Sequence, residues 1–268
     1  MEIGLQLSDF TWPGGAGRLG AELAETARAV DEAGFGYLAL MDHFFQIPSV
    51  GPVEHDMLEA YTTLGFLAAH TRRTRLLTVI AGAFYRRPEV LVGAARTLHA
   101  LSGGRGLLGV GAGWAEAESR ALGVPFPSLA RRFELLEDVL RQTRGVPVMV
   151  GGGGERKTLR FVAKYGDACN LFSGPQLPHK LDVLRRHCEA EGRDYAEITK
   201  VVDHSLDIGP RGERTGEFLA ELSRLAALGV DAVIGDLPGR PSPVVLTRFA
   251  DEIIPAAAAL STVDRLAG

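Results

Sequence analysis

Short β-type runs alternate with helical stretches along the whole chain, and this alternation limits the fold more than any other feature of the sequence. Eight runs read as strands: Ile3–Leu7, Tyr37–Met41, Arg75–Ile80, Gly106–Val110, Val146–Val150, Ala168–Leu171, Ile198–Val202 and Ala232–Ile234. Apolar residues at helical spacing fill the intervals. Leu19, Leu23, Ala27 and Val30 form one stripe, Leu91, Ala94, Leu98 and Leu101 another, and Val245, Phe249 and Ile253 the last. Strand-then-helix repetition calls for parallel strands with helices packed outside them. Eight such units close a (β/α)8 TIM barrel, and 268 residues is an ordinary length for one. A doubly wound open sheet is the alternative. No Gly/Pro/Ser-rich linker and no shift in composition divides the sequence, so one barrel domain over residues 1–268 is expected.

A barrel also says where chemistry should be found, because active sites sit at the C-terminal ends of the strands. Read in order, those ends carry Ser8-Asp9, Asp42-His43, Ala81-Gly82, Gly111-Ala112-Gly113-Trp114, Gly151–Glu155, Asn170, Asp203-His204 and Gly235-Asp236. The run Gly151–Gly154 follows the fifth strand, and a helix is expected over Glu155–Tyr165. Free N–H groups at a helix N-terminus attract anions, and glycines admit a phosphate without a Cβ in its way. Thr158 adds a hydroxyl. Glu155 suits the helix dipole but repels phosphate, so its side chain should turn away while its N–H faces the ligand. The bland alternative is a tight turn that binds nothing, though four glycines exceed what a short loop needs. No Walker or Rossmann pattern is present. A second glycine-rich turn, "GVGAGW" (109–114), extends the same rim and fits a ligand that is long as well as anionic.

Asp42 and His43 end the second strand, where neighbouring side chains point to opposite faces. One can face the barrel mouth as a proton carrier while the other anchors the loop, and a hydrogen-bonded structural histidine is the competing view. A metal reading would recruit Asp42, His43, His55, Asp56 and His204, but no pair of them has a recognised ligand spacing. His204 is a second proton-transfer candidate. Arg86-Arg87 either meet an anionic cofactor tail or are simply solvated.

Charge and composition exclude several classes. The net charge of −4 is interspersed, with no basic face for nucleic acid or an anionic membrane. The first residues lack a signal-peptide pattern and no stretch of about 18 apolar residues occurs. Cys169 and Cys188 make neither a metal motif nor a disulfide framework. The plain expectation is a cytoplasmic enzyme acting on a small molecule.

Several segments carry a family resemblance. "AGFGYLALMDHFFQIP", "YRRPEVLVGAARTLHALSGGRGLLGVGAGWAEAESRALG", "VPVMVGGGGERKTLRFVAKYGDACNLF" and "FADEIIPA" together resemble the luciferase-like monooxygenase superfamily, in its coenzyme F420-dependent oxidoreductase branch. The resemblance implies that Gly152, Gly153, Gly154 and Glu155 N–H groups with Thr158 cradle a flavin-type cofactor's phosphate. It places Ala112 and Gly113 against the ribityl-phosphate part, and Asp42 near the deazaflavin ring. Thr78, Val79 and Ala81 belong to the third-strand region that supports the ring, with a non-proline cis peptide expected at Thr78–Val79. His43 would be the general acid/base. Glu118 matches the family acid after G-x-G-x-G-W and is expected to pair with an arginine such as Arg105 or Arg132.

Two departures stand out. Sugar-phosphate-oxidising relatives carry an acid where this chain has Trp114. The insertion common before the glycine-rich strand is shortened here to "LRQTRGVPVMV". The implied function is hydride transfer between F420 and a carbonyl, imine or activated alkene, by a homodimer. An FMN-dependent monooxygenase, a non-redox barrel enzyme acting on a phosphorylated substrate, and a non-catalytic barrel remain the alternatives.

Overall fold

The structure is a computed structural model that describes residues 1–260; residues 261–268 of the expected domain lie outside the described residues. Its strands are β1 (Glu2–Leu7), β2 (Tyr37–Leu40), β3 (Arg75–Thr78), β4 (Ala81–Gly82), β5 (Gly106–Gly111), β6 (Val148–Gly151), β7 (Ala168–Phe172), β8 (Thr199–Asp203) and β9 (Ala232–Asp236). The helices are α1 (Ala16–Ala33), α2 (Ala60–His70), α3 (Pro88–Leu101), α4 (Glu116–Ala121), α5 (Leu129–Gln142), α6 (Thr158–Tyr165), α7 (Leu177–Glu191), α8 (Thr215–Ala227), α9 (Pro243–Arg248) and α10 (Ile254–Leu260). A π-helical turn, Phe249–Ile253, joins the last two.

All ladders are parallel, and the sheet closes where β3 pairs with β5 through Leu76↔Gly106 and Leu77↔Leu107. β3 and β4 are two pieces of one stave, since β4 continues the pairing with β5 through Ala81↔Val110. The nine segments therefore make an eight-stave barrel, and the open-sheet alternative falls. The third strand is not continuous to Ile80 as its apolar run predicts. Its ladder breaks at residues 79–80, where the Val79–Ile80 peptide is cis, one bond beyond the expected Thr78–Val79. The Ile80 side chain takes the space that other residues would fill on β5 and β6: a Cβ built on Gly151 would lie 2.5 Å from Ile80 Cγ1. Glycine at that position answers to packing inside the barrel.

The strand alternation separates two cores. Tyr37, Ala39, Leu77, Met149, Val201 and Ile234 pack inside the barrel. Leu38, Leu40, Leu76 and Leu108 point outward, into the layer shared with the helices. Each fully buried leucine contributes roughly 1.5–3 kcal/mol of burial free energy, so both faces of the strands hold the stave positions. Toward the C-terminal ends the inward positions become polar, with Gln6, Asn170, Asp203 and Asp236 two residues beyond inward apolar or small ones. α5 passes to β6 through residues 143–147 alone, so the segment before the glycine-rich strand is short. Among the described residues no helix is long and apolar enough to cross a membrane.

Candidate active site

His43 stands three residues beyond the end of β2, and its ring is turned into a closed network. Its Nδ1 lies 2.8 Å from Glu118 Oε2, and the same oxygen accepts a hydrogen bond from the Tyr85 hydroxyl. Glu118 Oε1 accepts the backbone N–H groups of Phe44, at 2.6 Å, and Phe45, at 3.1 Å. Burial pushes the Glu118 pKa up, but the bonds from His43, Tyr85 and the Phe45 amide outweigh it and hold this carboxyl below its ordinary value. An ionised carboxylate only accepts, so Nδ1 carries a proton toward Glu118. Nε2 is then the nitrogen left for exchange with a ligand. The Trp114 ring meets the His43 ring edge-on, with centroids 5.4 Å apart, while Trp114 itself is 63% exposed.

Among the described residues Glu118 pairs with no arginine. Arg105 is taken up by Thr71, Thr74 and Ala68, and Arg132 binds the carbonyls of Pro127 and Gly113. The expected pairing fails because α4 starts two residues after Trp114 and delivers Glu118, on its first turn, to the loop after β2. Tyr85 was not singled out by sequence reasoning; its position three residues beyond Gly82, on a rim already rich in chemistry, was the available signal.

Asp42 turns the other way and is 2% exposed. Arg86 grips it with two bonds of 2.7 and 2.9 Å and also reaches Glu59 at 2.7 Å. Burial raises the Asp42 pKa despite that partner. Arg86 is thus not solvated and locks the second strand's loop to the third, whereas Arg87 is solvated, with its side chain 84% exposed. Thr78, fully buried, donates to the Gly109 carbonyl at 2.7 Å, and the Val79 amide donates to Leu40 O. Ala81 is buried in the β4–β5 ladder, next to the turn holding Ala112 and Gly113. Gly113 has φ 75°, and a Cβ there would meet the Phe84 ring at 2.3 Å, so only glycine suits the turn.

Across the mouth lies the glycine turn. Gly152 N–H is used by Asn170 O at 3.1 Å, whereas the amides of Gly153, Gly154 and Glu155 donate to no acceptor among the described residues. Thr158 is buried beside them, with its Oγ1 2.8 Å from where a Gly154 Cβ would stand. The helix starts at Thr158 and not at Glu155 as expected. The reason is a contact from another helix: Glu155 O accepts His187 Nε2, from α7, at 2.7 Å, and the Leu159 amide goes back to Gly154 O. The Glu155 carboxylate is occupied by Lys180 at 2.6 Å and His179 at 3.1 Å, and Lys180 holds its pKa down. Three free amides, a hydroxyl and a nearby ammonium form a cradle whose chemistry fits a phosphate.

Between the two sides, the inward polar positions are poorly satisfied. Asn170 Nδ2 and Gln6 Oε1 are buried without a hydrogen-bond partner among the described residues. Burial, with the nearby Asp236 charge, pushes the Asp203 carboxyl up to about 6. His204 hydrogen-bonds Ser173 Oγ at 2.9 Å and stacks on Phe218, away from the His43 network. His55 pairs with Asp9 at 2.6 Å. Among the described residues no three His, Cys, Asp or Glu side chains are grouped to hold a metal.

The chain is similar to known proteins in sequence and in fold. Residues 1–146 match the family model described as luciferase-like monooxygenase. An F420-dependent glucose-6-phosphate dehydrogenase of Intrasporangium calvum is 31% identical over 279 residues, spanning 90% of this chain and 80% of that protein. One of the same description from Kineococcus radiotolerans is 27% identical over 265 residues, covering 87% and 76%. The solved structure of an F420-dependent secondary alcohol dehydrogenase in complex with an F420-acetone adduct superposes with a TM-score of 0.76 at 16% identity, covering 96% of this chain and 99% of that one.

Proposed function

The chain belongs to the luciferase-like monooxygenase family, and from that premise we propose that it is a coenzyme F420-dependent oxidoreductase with His43 as its general acid/base. The observation that carries the reading is the placing of a proton-ready imidazole and a phosphate-fitting cradle on one barrel rim. Relatives of this chain are described as F420-dependent dehydrogenases, which supports the choice of cofactor.

Gly153, Gly154 and Glu155 donate their amide hydrogens to the cofactor phosphate, and Thr158 adds its hydroxyl. Ala112 and Gly113 line the passage from that phosphate toward the ring. Thr78, Val79, Ala81 and Asp42 shape the stave ends on which the ring rests, and Arg86 keeps Asp42 in place. When bound, F420 supplies the hydride chemistry, which is the cofactor's own. The protein contributes position and the coupled proton. Glu118 fixes the His43 ring through Nδ1, so Nε2 takes the proton from a substrate hydroxyl or returns it to a carbonyl. Tyr85 and the Phe44 and Phe45 amides keep Glu118 ionised, which stabilises the imidazolium that forms.

A parallel fluorescence titration with F420 and FMN tests the reading. The expected result is saturable F420 binding at least about tenfold tighter than FMN. Preference for FMN would move the protein to flavin chemistry, and binding of neither would overturn the proposal.

A further inference from the structure

Away from the His43 network, the barrel mouth along β7, β8, β9 and β1 holds polar groups that nothing in the protein answers. Asn170, Asp203 and Asp236 each stand two residues beyond an inward apolar one, Ala168, Val201 and Ile234, and so face the barrel axis. Gln6 pairs in register with Asp236, and Phe172 with Asp203, on the same face. Gln6 spends its amide nitrogen on Ser8 Oγ at 2.9 Å, which leaves the buried, unpartnered Oε1 held open as an acceptor. Among the described residues neither the Asp203 nor the Asp236 carboxylate has an ion pair or accepts a hydrogen bond, and the charge that bears on Asp203 is the like charge of Asp236. Asn170 is 6% exposed, and its Nδ2 lacks an acceptor. Beside Asp203, Phe172 leaves 73% of its surface open.

Three acceptors with a surplus of negative charge call for a donor that is positive. Neighbouring carboxylates without a counter-ion repel each other, and a cation between them removes that repulsion. A metal ion fits poorly, since among the described residues no three His, Cys, Asp or Glu side chains are grouped to hold one. An organic ammonium uses the whole row. Its N–H groups donate to Asp203, Asp236 and Gln6 Oε1 in charge-assisted bonds. Its charge and attached carbons lie against the Phe172 ring, and an oxygen beside it accepts from Asn170 Nδ2.

We propose that the barrel mouth carries a subsite for a protonated amine, built by Asp203, Asp236 and Gln6 with Phe172 as its apolar side, and that the substrate is held there by such a group. β8 stands across the barrel from the β3–β4 stave, with β2, β1 and β9 between them one way and β5, β6 and β7 the other. A ligand held at Asp203 therefore faces the stave on which the deazaflavin ring rests in the reading above. The assignment to substrate rests on that reading, and the subsite itself does not. Between the carboxylates the nitrogen keeps its proton and has no free lone pair, so it serves as a handle and not as the reacting centre.

Calorimetry on cofactor-free protein at pH 8 tests the subsite, with benzylamine, benzyl alcohol and benzoate as probes of similar shape and different charge. Benzylamine is expected to bind at least about tenfold tighter than benzyl alcohol, with no heat from benzoate. Asp203→Asn and Asp236→Asn should each remove that preference in protein that still melts cooperatively. Phe172→Ala, a change at an exposed position that spares the fold, should weaken benzylamine about threefold. Benzyl alcohol or benzoate binding as well as benzylamine, no binding of benzylamine, or folded variants with wild-type affinity would overturn the subsite. A titration of F420 into protein saturated with benzylamine tests the assignment. An F420 Kd within about twofold of its value without the amine is expected; competition would mean that the cofactor fills the subsite and would overturn the assignment to substrate. Failure of F420 to bind refutes the cofactor reading separately, because the calorimetric test does not use F420.

Discussion

Glu118 and Asp203 stand on opposite arcs of the same barrel mouth, in opposite surroundings. Glu118 receives four hydrogen bonds, and its pKa is held down. Asp203 receives none on its carboxylate among the described residues and is pushed up to about 6. The contrast extends to their neighbours. On the β2–β5 arc Asp42, Arg86 and Tyr85 all have partners, and the buried Tyr61 hydroxyl, whose ring lies under Arg86, is the exception among the described residues. On the β6–β9 arc and adjoining β1, the amides of Gly153, Gly154 and Glu155, the Asn170 amide nitrogen and the Gln6 oxygen have none among the described residues. A satisfied arc holds one group rigid for proton exchange; an unsatisfied arc keeps donors and acceptors for a ligand. Buried polar groups cost free energy unless paired, and on the proposed reading a ligand supplies the partners that Asn170 and Gln6 lack.

The largest expected effect comes from removing the group that the satisfied arc exists to hold. His43→Ala should lower turnover by roughly 10²–10⁴-fold, the usual worth of a positioned acid/base, while F420 affinity stays close to wild type. Stopped-flow kinetics and the fluorescence titration separate the two. Turnover equal to wild type would remove His43 from the mechanism and break the comparison at its first arm.

The other arm is tested at Gly153. A Cβ there would touch only Lys180 methylenes, at 3.7 Å, and its φ is not positive. Gly153→Leu therefore places its Cβ without a clash and turns its branch toward the flexible Lys180 stem or the ligand, so its cost should fall mainly on the ligand. Loss of one or two charge-assisted bonds to phosphate, each worth about 1.5–3 kcal/mol, should raise the F420 Kd by roughly 10²-fold with the melting temperature unchanged. Unaltered affinity would mean that the free amides serve no phosphate.

The two arcs were not equally legible in the sequence. The barrel was, because strand–helix alternation is a long pattern that many residues repeat. The glycine turn was visible too, because a run of four glycines has few local explanations. What sequence could not supply was pairing over distance. Glu118 lies 75 residues from His43 in the chain and 2.8 Å from it in space, and an arginine was the generic partner to expect for an acid. Arg86 was misjudged for the same reason: its partners Asp42 and Glu59 lie 44 and 27 residues away. The helix start moved from Glu155 to Thr158 because His187, on α7, takes the carbonyl that a first helical turn would have used. Local signals set the frame, and long-range contacts decided which polar group was satisfied.

The smallest predicted effect concerns Asp203, and its sign follows from linkage. The folded protein raises this carboxyl from 3.8 to about 6, so between those values the native state holds more protons than the unfolded chain. Stability then falls as pH rises through that window, and the loss is complete above it. A shift of about two units has a ceiling near 3 kcal/mol, and partial solvent exposure reduces this to about 1–2 kcal/mol. Asp203→Asn removes the ionisation and keeps the size. Urea unfolding should show the variant more stable than wild type by that amount at pH 8, with the difference closing toward pH 4. A difference that stayed flat across that range would mean that Asp203 is already satisfied in solution, and that the two arcs differ less than their hydrogen bonds indicate.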